Sequence, residues 1–448
     1  MVGVAEEQVT AARLVAPADT VSAASRVTPR RDLVAVTSWT AIIAVSAVWG
    51  TMSIASGRRL FLGAPPLFAR PDFSTGVGVI AAVAIAAVVI ALMPRAIDRF
   101  SWQGMLWAGF ALALVWAIAL VFARGDGSLS RPLDAPQDFL HDLPLVAGPG
   151  ELLRSFVAHI DAYATHGRAH PPGMLMLLWT LARLGLDGSG VASAMVISAG
   201  ASAVPAAMIA TRAVAGESVA RRAAPFLALS PAAIWVATSA DALTMGVCAW
   251  AVALLVVAIV KGTGRSAPAA VAGGALFGGA LMLSYGMVLL AAVPAAIATA
   301  LRRWRPLVIA TGVSLAVLGI FAASGFSWPA GLAATRRQYL ASGAFFRPYG
   351  YFLLGNIAAF AIVVGPATAV GISRIRSRAA LLVLAACGAV LLADLSGMSK
   401  GEVERIWLPF APWVLLAAGA IEGERARLWL AVQVVTTILV TIILRTPW

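Results

Sequence analysis

The chain has 448 residues, of which 60% are hydrophobic and 12% are charged, with a mean hydropathy of +0.89 and a formal net charge of +13. A soluble domain carries about 25% charged residues, so this composition excludes a soluble globular protein and predicts an integral membrane protein with many spans. Positive charge on such a protein is typical of cytoplasmic loops and of contact with membrane lipids, and it does not indicate nucleic-acid binding.

Residues 1–34 are polar and carry no signal-peptide pattern, which predicts a mobile cytoplasmic tail ahead of a transmembrane domain at 35–448. Apolar segments then predict an all-α, polytopic transmembrane helix bundle of about 13 spans. The predicted spans are 36–56, 75–94, 104–123, 190–211, 223–239, 241–260, 267–283, 286–301, 306–323, 350–371, 379–395, 406–421 and 427–445.

The topology depends on residues 171–186, an apolar segment that begins with Pro171 and Pro172 and is too short to span a bilayer. We interpret it as an interfacial or re-entrant helix, whereas a true span there would invert every later segment. With this helix on the surface, the arginine-rich turns between later spans all fall on one side, as the positive-inside rule requires. We therefore predict a multi-pass protein of the cell membrane, with a cytoplasmic N-terminus and an extracytoplasmic loop at 125–172.

The loop at 125–172 contains all four histidines and several carboxylates. Asp138 and Asp142 are spaced i, i+4 with His141 between them, so in a helix they would share a face. Two carboxylates at that distance either repel, which raises one pKa, or share a cation, and either suits a general base or a metal site. The other interpretation is a solvated loop in which aspartates cap helices.

Arg168 and His170 lie in HGRAHPPG, just before the predicted interfacial helix. Basic groups at a helix N-terminus suit a phosphate, although ordinary contact with lipid headgroups would also explain them. A metal bound by His159, His166 and His170 is disfavoured, because their spacing matches no standard zinc signature.

Three later segments carry further candidates. Asp241 lies near the outer end of a span, where a carboxylate is costly and usually functional, although with Ser239 it could instead cap the next helix. Two outer segments could bind phosphate or sugar hydroxyls, with local salt bridges as the alternative for the second. Their candidate residues are Arg336, Arg337, Lys400, Glu402, Glu404 and Arg405.

These motifs together resemble the GT-C class of membrane glycosyltransferases. DFLHD at 138–142 is similar to the acidic motif of the large outer loop in that class, and HPPG at 170–173 is similar to the HPPL of protein O-mannosyltransferases and aminoarabinose transferases. Asp241 matches the placement of a later carboxylate in the class. The HPPG and GEVERIWLPF segments also resemble uncharacterised integral membrane proteins of high-GC bacteria. The acidic loop here follows a third span instead of the first.

The resemblance implies an inverting glycosyltransferase that moves mannose, another hexose or a pentose from a polyprenyl-phosphate donor to a glycan, lipid or protein acceptor. It implies a catalytic role for Asp138 or Asp142 as base and a catalytic role for Asp241. Arg168 and His170, with Lys400 and Arg405, would stabilise the departing phosphate, and His141 is a further candidate for binding substrate or phosphate. No cofactor is then required, although a divalent metal is compatible with the site. The alternative is a transporter or flippase of a lipid-linked or anionic substrate, which the lack of an internal repeat disfavours.

Overall fold

A computed structural model describes residues 29–237, 239–262 and 266–447. The predicted cytoplasmic tail lies outside these residues as far as residue 28, and residues 29–34 already belong to the first helix. Within the described ranges the chain consists of α-helices, short 3₁₀ helices, turns and two strands, β1 (Arg70–Pro71) and β2 (Leu444–Arg445), which pair antiparallel. The prediction of an all-α polytopic bundle is confirmed.

The described part of the chain contains helices of very different lengths. In chain order they are α1 (Pro29–Ala55), α2 (Gly78–Arg99), α3 (Trp102–Val121), α4 (Phe139–Asp142), α5 (Pro149–Ser155), α6 (Thr165–Ala169), α7 (Gly173–Arg183), α8 (Ser189–Ala215), α9 (Glu217–Ala228), α10 (Ala233–Val236), α11 (Asp241–Lys261), α12 (Ala267–Leu283), α13 (Ala292–Leu301), α14 (Arg305–Ala323), α15 (Trp328–Ala341), α16 (Tyr349–Ile372), α17 (Ala379–Leu395), α18 (Val403–Ile406), α19 (Ala411–Leu415) and α20 (Glu424–Ile443).

Seven of the described helices are long and apolar enough to cross a membrane, namely α1, α3, α8, α11, α14, α16 and α20. Shorter apolar helices, among them α12 and α17, lie between them. Helices that are apolar on all sides are stable only inside lipid or inside other helices. The chain is therefore a multi-pass membrane protein.

Two predicted spans are divided at prolines, and a third, at 286–301, consists of a 3₁₀ helix (Tyr285–Ala291) followed by α13. The segment predicted at 223–239 consists of the end of α9, a turn and α10, and the segment predicted at 406–421 consists of short α-helical and 3₁₀ pieces. Prolines explain both breaks, since Pro231 follows α9, and Pro409 and Pro412 interrupt the later segment. The breaks leave residues 237, 239–240 and 399–402 outside helices, at one end of the bundle.

Small residues allow the central helices to pack closely. A methyl group at Gly246 of α11 would lie 2.1 Å from the carbonyl oxygen of Ala199 in α8, and one at Gly200 would lie 3.0 Å from Cβ of Ala242. Helices in membranes associate through such small-residue contacts. This packing fixes the position of Asp241, the first residue of α11.

The loops that carry the candidate residues meet at one end of the bundle, which we call the polar end. It comprises residues 56–77, 122–188, 237, 239–241, 324–348, 396–405 and 444–447. Segments distant in sequence are joined there by hydrogen bonds, such as Phe68 to Glu404 and Thr335 to Arg168. The predicted interfacial segment is the 11-residue helix α7. The region around Arg336 and Arg337, interpreted from the sequence as a loop, contains the 14-residue helix α15.

Candidate functional site

Five side chains from four segments form a continuous hydrogen-bonded network at the polar end, and all of them except the half-buried Glu402 are buried. We call this set the carboxylate network. Its members are Asp138, His166, Asp241, Glu402 and Arg405.

Asp138 lies at the centre of one half of the network and is only 4% exposed. It caps the short helix α4, because its Oδ1 accepts a hydrogen bond from the backbone nitrogen of Phe139 at 2.7 Å. Its Oδ2 lies 3.0 Å from Nδ1 of His166. The main-chain nitrogen of His166 donates to the carbonyl oxygen of Gln137 at 2.9 Å, so backbone and side chain both fix this pair. Asp138 therefore caps α4 and is also hydrogen-bonded to the buried side chain of His166.

Arg405 connects the two halves of the network. Its Nη1 donates to Oδ2 of Asp241 at 2.8 Å, and its Nη2 donates to Oε2 of Glu402 at 2.8 Å. Oδ2 of Asp241 also accepts the hydroxyl of Ser239 at 2.7 Å. Burial opposes the charge of Arg405, but the carboxylates of Asp241 and Glu402 outweigh that effect and raise its pKa. Arg405 therefore remains charged and is already engaged by two carboxylates.

The hydrogen bonds assign the tautomer of His166. Nη2 of Arg405 lies 3.1 Å from Nε2 of His166, and a guanidinium group can only donate. Nε2 must therefore accept, which places the proton on Nδ1, where it is donated to Asp138. His166 thus links the arginine to Asp138. Three carboxylates and one guanidinium make the network an anionic environment.

Asp142 is held by the loop that carries it. Its Oδ1 accepts the backbone nitrogen of Ala164 at 2.7 Å, and its buried Oδ2 has no hydrogen-bond partner among the described residues. That oxygen lies against Gly167, where a methyl group would come within 2.1 Å. Burial raises the pKa of Asp142, with smaller opposing contributions from its neighbours. Asp142 is buried and stabilises the loop through its hydrogen bond with Ala164, whereas His141 beside it is exposed.

His170 lies beside the network in a small cleft that Asp241 and Arg405 also line. Its Nδ1 is 3.1 Å from the carbonyl oxygen of Leu283, which fixes the ring. Burial lowers the pKa of His170. The ring is therefore uncharged at neutral pH, and it offers a hydrogen-bonding group without the positive charge expected for a phosphate ligand.

The other basic candidates lie in different surroundings. Arg336 and Arg337 are exposed on α15, and no ion pair joins them to the described residues. Lys400 donates to the carbonyl oxygen of Phe345 at 2.6 Å and lies over its ring. Arg168 is half-buried beside α15. The phosphate-binding role of these four residues stays a prediction.

Glu404 faces away from the network that its neighbour Arg405 completes. It is fully buried, and its Oε1 accepts the backbone nitrogen of Phe68 at 2.9 Å. Burial raises the pKa of Glu404 to about 7. This contact ties the first loop of the polar end to the segment that carries Arg405.

A cavity of about 780 Å³ opens beside the network. Gln137, which precedes Asp138, and Phe68, which binds Glu404, both line it. Much of its wall is apolar. The apolar residues include Phe61, Leu67, Phe68, Leu120, Val121, Ile234, Trp235, Val440 and Leu444.

Four arginines and two aspartates line the polar side of the cavity. We call the arginines the arginine rim, and they are Arg70, Arg124, Arg131 and Arg445. The sequence interpretation selected none of them, because they come from three regions that only the folded chain brings together. It also considered His166 only as a zinc ligand. The pairing of His166 with Asp138 depends on the path of the loop, which the spacing does not encode.

A metal site is not evident in the described part of the chain, where no group of three or more histidine, cysteine or acidic side chains is arranged to hold an ion. The requirement for a cofactor stays a prediction.

Comparison with known proteins gives little further information. No protein-family model matches the chain, and no curated protein matches it significantly. Among solved structures, ArnT from Cupriavidus metallidurans in the apo state is 18% identical, with a TM-score of 0.39 over 61% of this chain and 54% of that chain. The alignment thus spans about half the length of that protein, and a likeness this distant carries no argument about activity.

Proposed function

We propose that the protein is a membrane glycosyltransferase of the GT-C type, which transfers a sugar from a polyprenyl-phosphate donor to a cell-envelope acceptor. The observation that carries this proposal is the buried carboxylate network beside a large cavity with an apolar wall and an arginine wall. Ionisable groups buried at the end of a membrane bundle are costly and are usually kept for function. The polar end would face the outside of the cell membrane.

The shape and lining of the cavity support a lipid-linked donor. A lipid-linked sugar phosphate needs an apolar surface for the chain, cations for the phosphate and polar groups for the sugar. The apolar wall and the arginine rim of the cavity supply the first two, and the carboxylate network begins at Asp138, next to the cavity-lining Gln137. A volume of about 780 Å³ falls within the ordinary size of ligand sites.

Asp138 is the proposed base. It would take the proton of the acceptor hydroxyl while the oxygen bonds to the anomeric carbon. The bond between that carbon and the phosphate oxygen would break, and polyprenyl phosphate would leave with the electron pair. His166 would hold the carboxylate of Asp138 in place, and Asp241 with Arg405 would hold His166. Asp142 is less suited to this role, because its carboxylate is enclosed by the loop.

The test uses purified protein in nanodiscs with a polyprenyl-phosphate mannose and an envelope extract as acceptor. Released polyprenyl phosphate is measured with and without the extract. We expect release that depends on the acceptor and falls about 10²–10⁴-fold in Asp138→Asn, the usual contribution of a general base.

The matched control is Asp142→Asn, an identical change four residues along the chain. We expect it to keep most activity. An active Asp138→Asn with an inactive Asp142→Asn would reassign the base. If several lipid-linked sugars bind without turnover, the proposal of a transferase fails and a transporter of the same substrates becomes the better explanation.

A further inference from the structure

The arginine rim differs from the basic residues that the sequence suggests for phosphate binding. Arg405, the best-placed of those residues, is already engaged by Asp241 and Glu402. The carboxylate network is also anionic as a whole, so a phosphate there would meet like charge. An anionic group in the adjacent cavity would therefore be bound by residues outside the carboxylate network.

Two arginines of the rim lie directly opposite each other. β1 and β2 pair in a register that sets Arg70 against Arg445, and both residues line the cavity. Directly opposed residues of antiparallel strands have their side chains on one face, with Cβ atoms about 4.5–5.5 Å apart, where like charges repel. A bound anion between them would turn this repulsion into attraction.

The surroundings of the two opposed arginines are unequal. Arg445 is partly neutralised, with Nη2 at 2.7 Å from Asp126 and Nη1 at 3.5 Å from Asp72. Arg70 is exposed and has no ion pair among the described residues. Arg131 adds a third cation, with a side chain that is 64% exposed and a contact of only 3.9 Å to Asp126. The arginine rim therefore carries positive charge that the neighbouring carboxylates do not neutralise.

Arg124 differs from the other arginines of the rim because its guanidinium group binds several groups of the protein itself. Its guanidinium binds the carboxylates of Asp72 and Asp126 and the carbonyl oxygens of Thr441 and Leu444. Its side chain is only 14% exposed. Arg124 therefore holds the end of α20 and β2 against the loop after α3, and this contact places Arg445 at the cavity.

We propose that Arg70, Arg445 and Arg131 form the binding site for the phosphate of an amphiphilic lipid, whose hydrocarbon chain lies along the apolar wall of the same cavity. This inference rests on the proposed function for the sugar that the lipid carries, but binding of the lipid phosphate itself does not depend on sugar transfer. Guanidinium groups bind phosphate oxygens with paired, charge-assisted hydrogen bonds.

The experiment measures binding of undecaprenyl phosphate to the whole protein in nanodiscs, with undecaprenol and inorganic phosphate as separate probes. We expect tight binding of undecaprenyl phosphate and much weaker binding of both others. Equal affinity for undecaprenol would remove the role of the arginines. Equal affinity for inorganic phosphate would overturn the assignment to a lipid.

The decisive variants change Arg70, whose side chain forms no ion pair in the described part of the chain. Arg70→Gln should weaken binding of undecaprenyl phosphate about tenfold or more, the loss of one charge-assisted contact. Arg70→Glu should abolish that binding and raise the melting temperature of the ligand-free protein, because a carboxylate opposite Arg445 forms an ion pair. If the role of Arg70 were purely structural, Arg70→Glu would lower both the binding of undecaprenyl phosphate and the melting temperature. Unchanged binding in Arg70→Gln and Arg70→Glu would overturn the proposal.

Arg376→Gln is the charge-matched control, since Arg376 is exposed in the turn between α16 and α17. It should bind undecaprenyl phosphate like the unchanged protein. Arg131→Gln should weaken binding about severalfold without loss of folding, because the one ion pair that Arg131 forms with the described residues is long and exposed. Normal binding without sugar transfer would contradict the proposed function alone, whereas transfer that is unaffected in Arg70→Glu would contradict this inference alone.

Discussion

The carboxylate network and the arginine rim lie at the same end of the bundle, and both are held by arginine–aspartate pairs. They differ in how deeply the arginines are buried and in how many of the arginine nitrogens already have a protein partner. Arg405 is 5% exposed and both of its terminal nitrogens are engaged, whereas the side chains of Arg131 and Arg445 are 64% and 37% exposed. A charged group is available to a ligand only where its protein partners leave donors and water access. The buried cation therefore organises the site, and the open cations are suited to bind.

The strongest test of this comparison removes one cation from each region. Arg405→Gln leaves the buried carboxylate of Asp241 without its cation and removes the closer of the two arginines that contact Glu402, which should cost about 3–5 kcal/mol. Arg131→Gln removes an exposed pair and should cost about 0–1 kcal/mol. Thermal unfolding of both variants in the same detergent measures the difference. Similar losses in the two variants would show that the regions do not differ as described.

His166 offers the next largest effect, because it joins Asp138 to Arg405. His166→Leu removes both hydrogen bonds and leaves the buried Oδ2 of Asp138 without the partner His166 provides, at about 1–3 kcal/mol, while Nη2 of Arg405 keeps its bond to Glu402. His166→Asn keeps a short donor near the position of Nδ1 and should retain more stability and more turnover. The pH profile of turnover separates positioning from packing: we expect it to change in His166→Leu and to be largely kept in His166→Asn. Identical profiles in both variants would argue against the positioning role.

Gly167 sharpens the distinction between Asp138 and Asp142. Gly167→Ala would place a methyl group 2.1 Å from Oδ2 of Asp142, and overpacking of this kind costs about 1–3 kcal/mol. Asp142→Ala in the same chain should relieve much of that loss, since it removes the clashing carboxylate. Gly148→Ala is the control, because nothing lies within 4 Å of its added carbon. If the double variant is no more stable than Gly167→Ala, the enclosure of Asp142 is not the cause.

Glu404 gives the smallest effect, a change in pH dependence. Burial raises its pKa from the ordinary value of 4.5 to about 7, so between these values the native protein binds more protons than the unfolded chain. Stability from this group is then fully present below pH 4.5 and is lost as the pH rises through 7. Glu404→Gln, which resembles the protonated form, should flatten the fall in melting temperature across this range. An unchanged slope would assign the pH dependence to other groups.

The sequence predicted much of the transmembrane architecture, because apolar length and the positions of arginine depend only on local composition. The prediction of a single helix was wrong at 223–239 and at 406–421, where prolines divide an apolar segment. Hydropathy measures only how apolar a segment is, so it does not reveal a break in the helix. It missed α15 because the residues around Arg336 are polar enough to be interpreted as a loop.

The sequence by itself determined that this chain is a helical membrane protein and that carboxylates and histidines concentrate between α3 and α7. It also singled out Asp138, Asp241 and Arg405, because charge near the end of an apolar segment is costly and therefore informative. Only the tertiary structure decided their partners. The link through His166 and the opposition of Arg70 and Arg445 join residues hundreds of positions apart, and loop paths and strand register, not local spacing, bring them together.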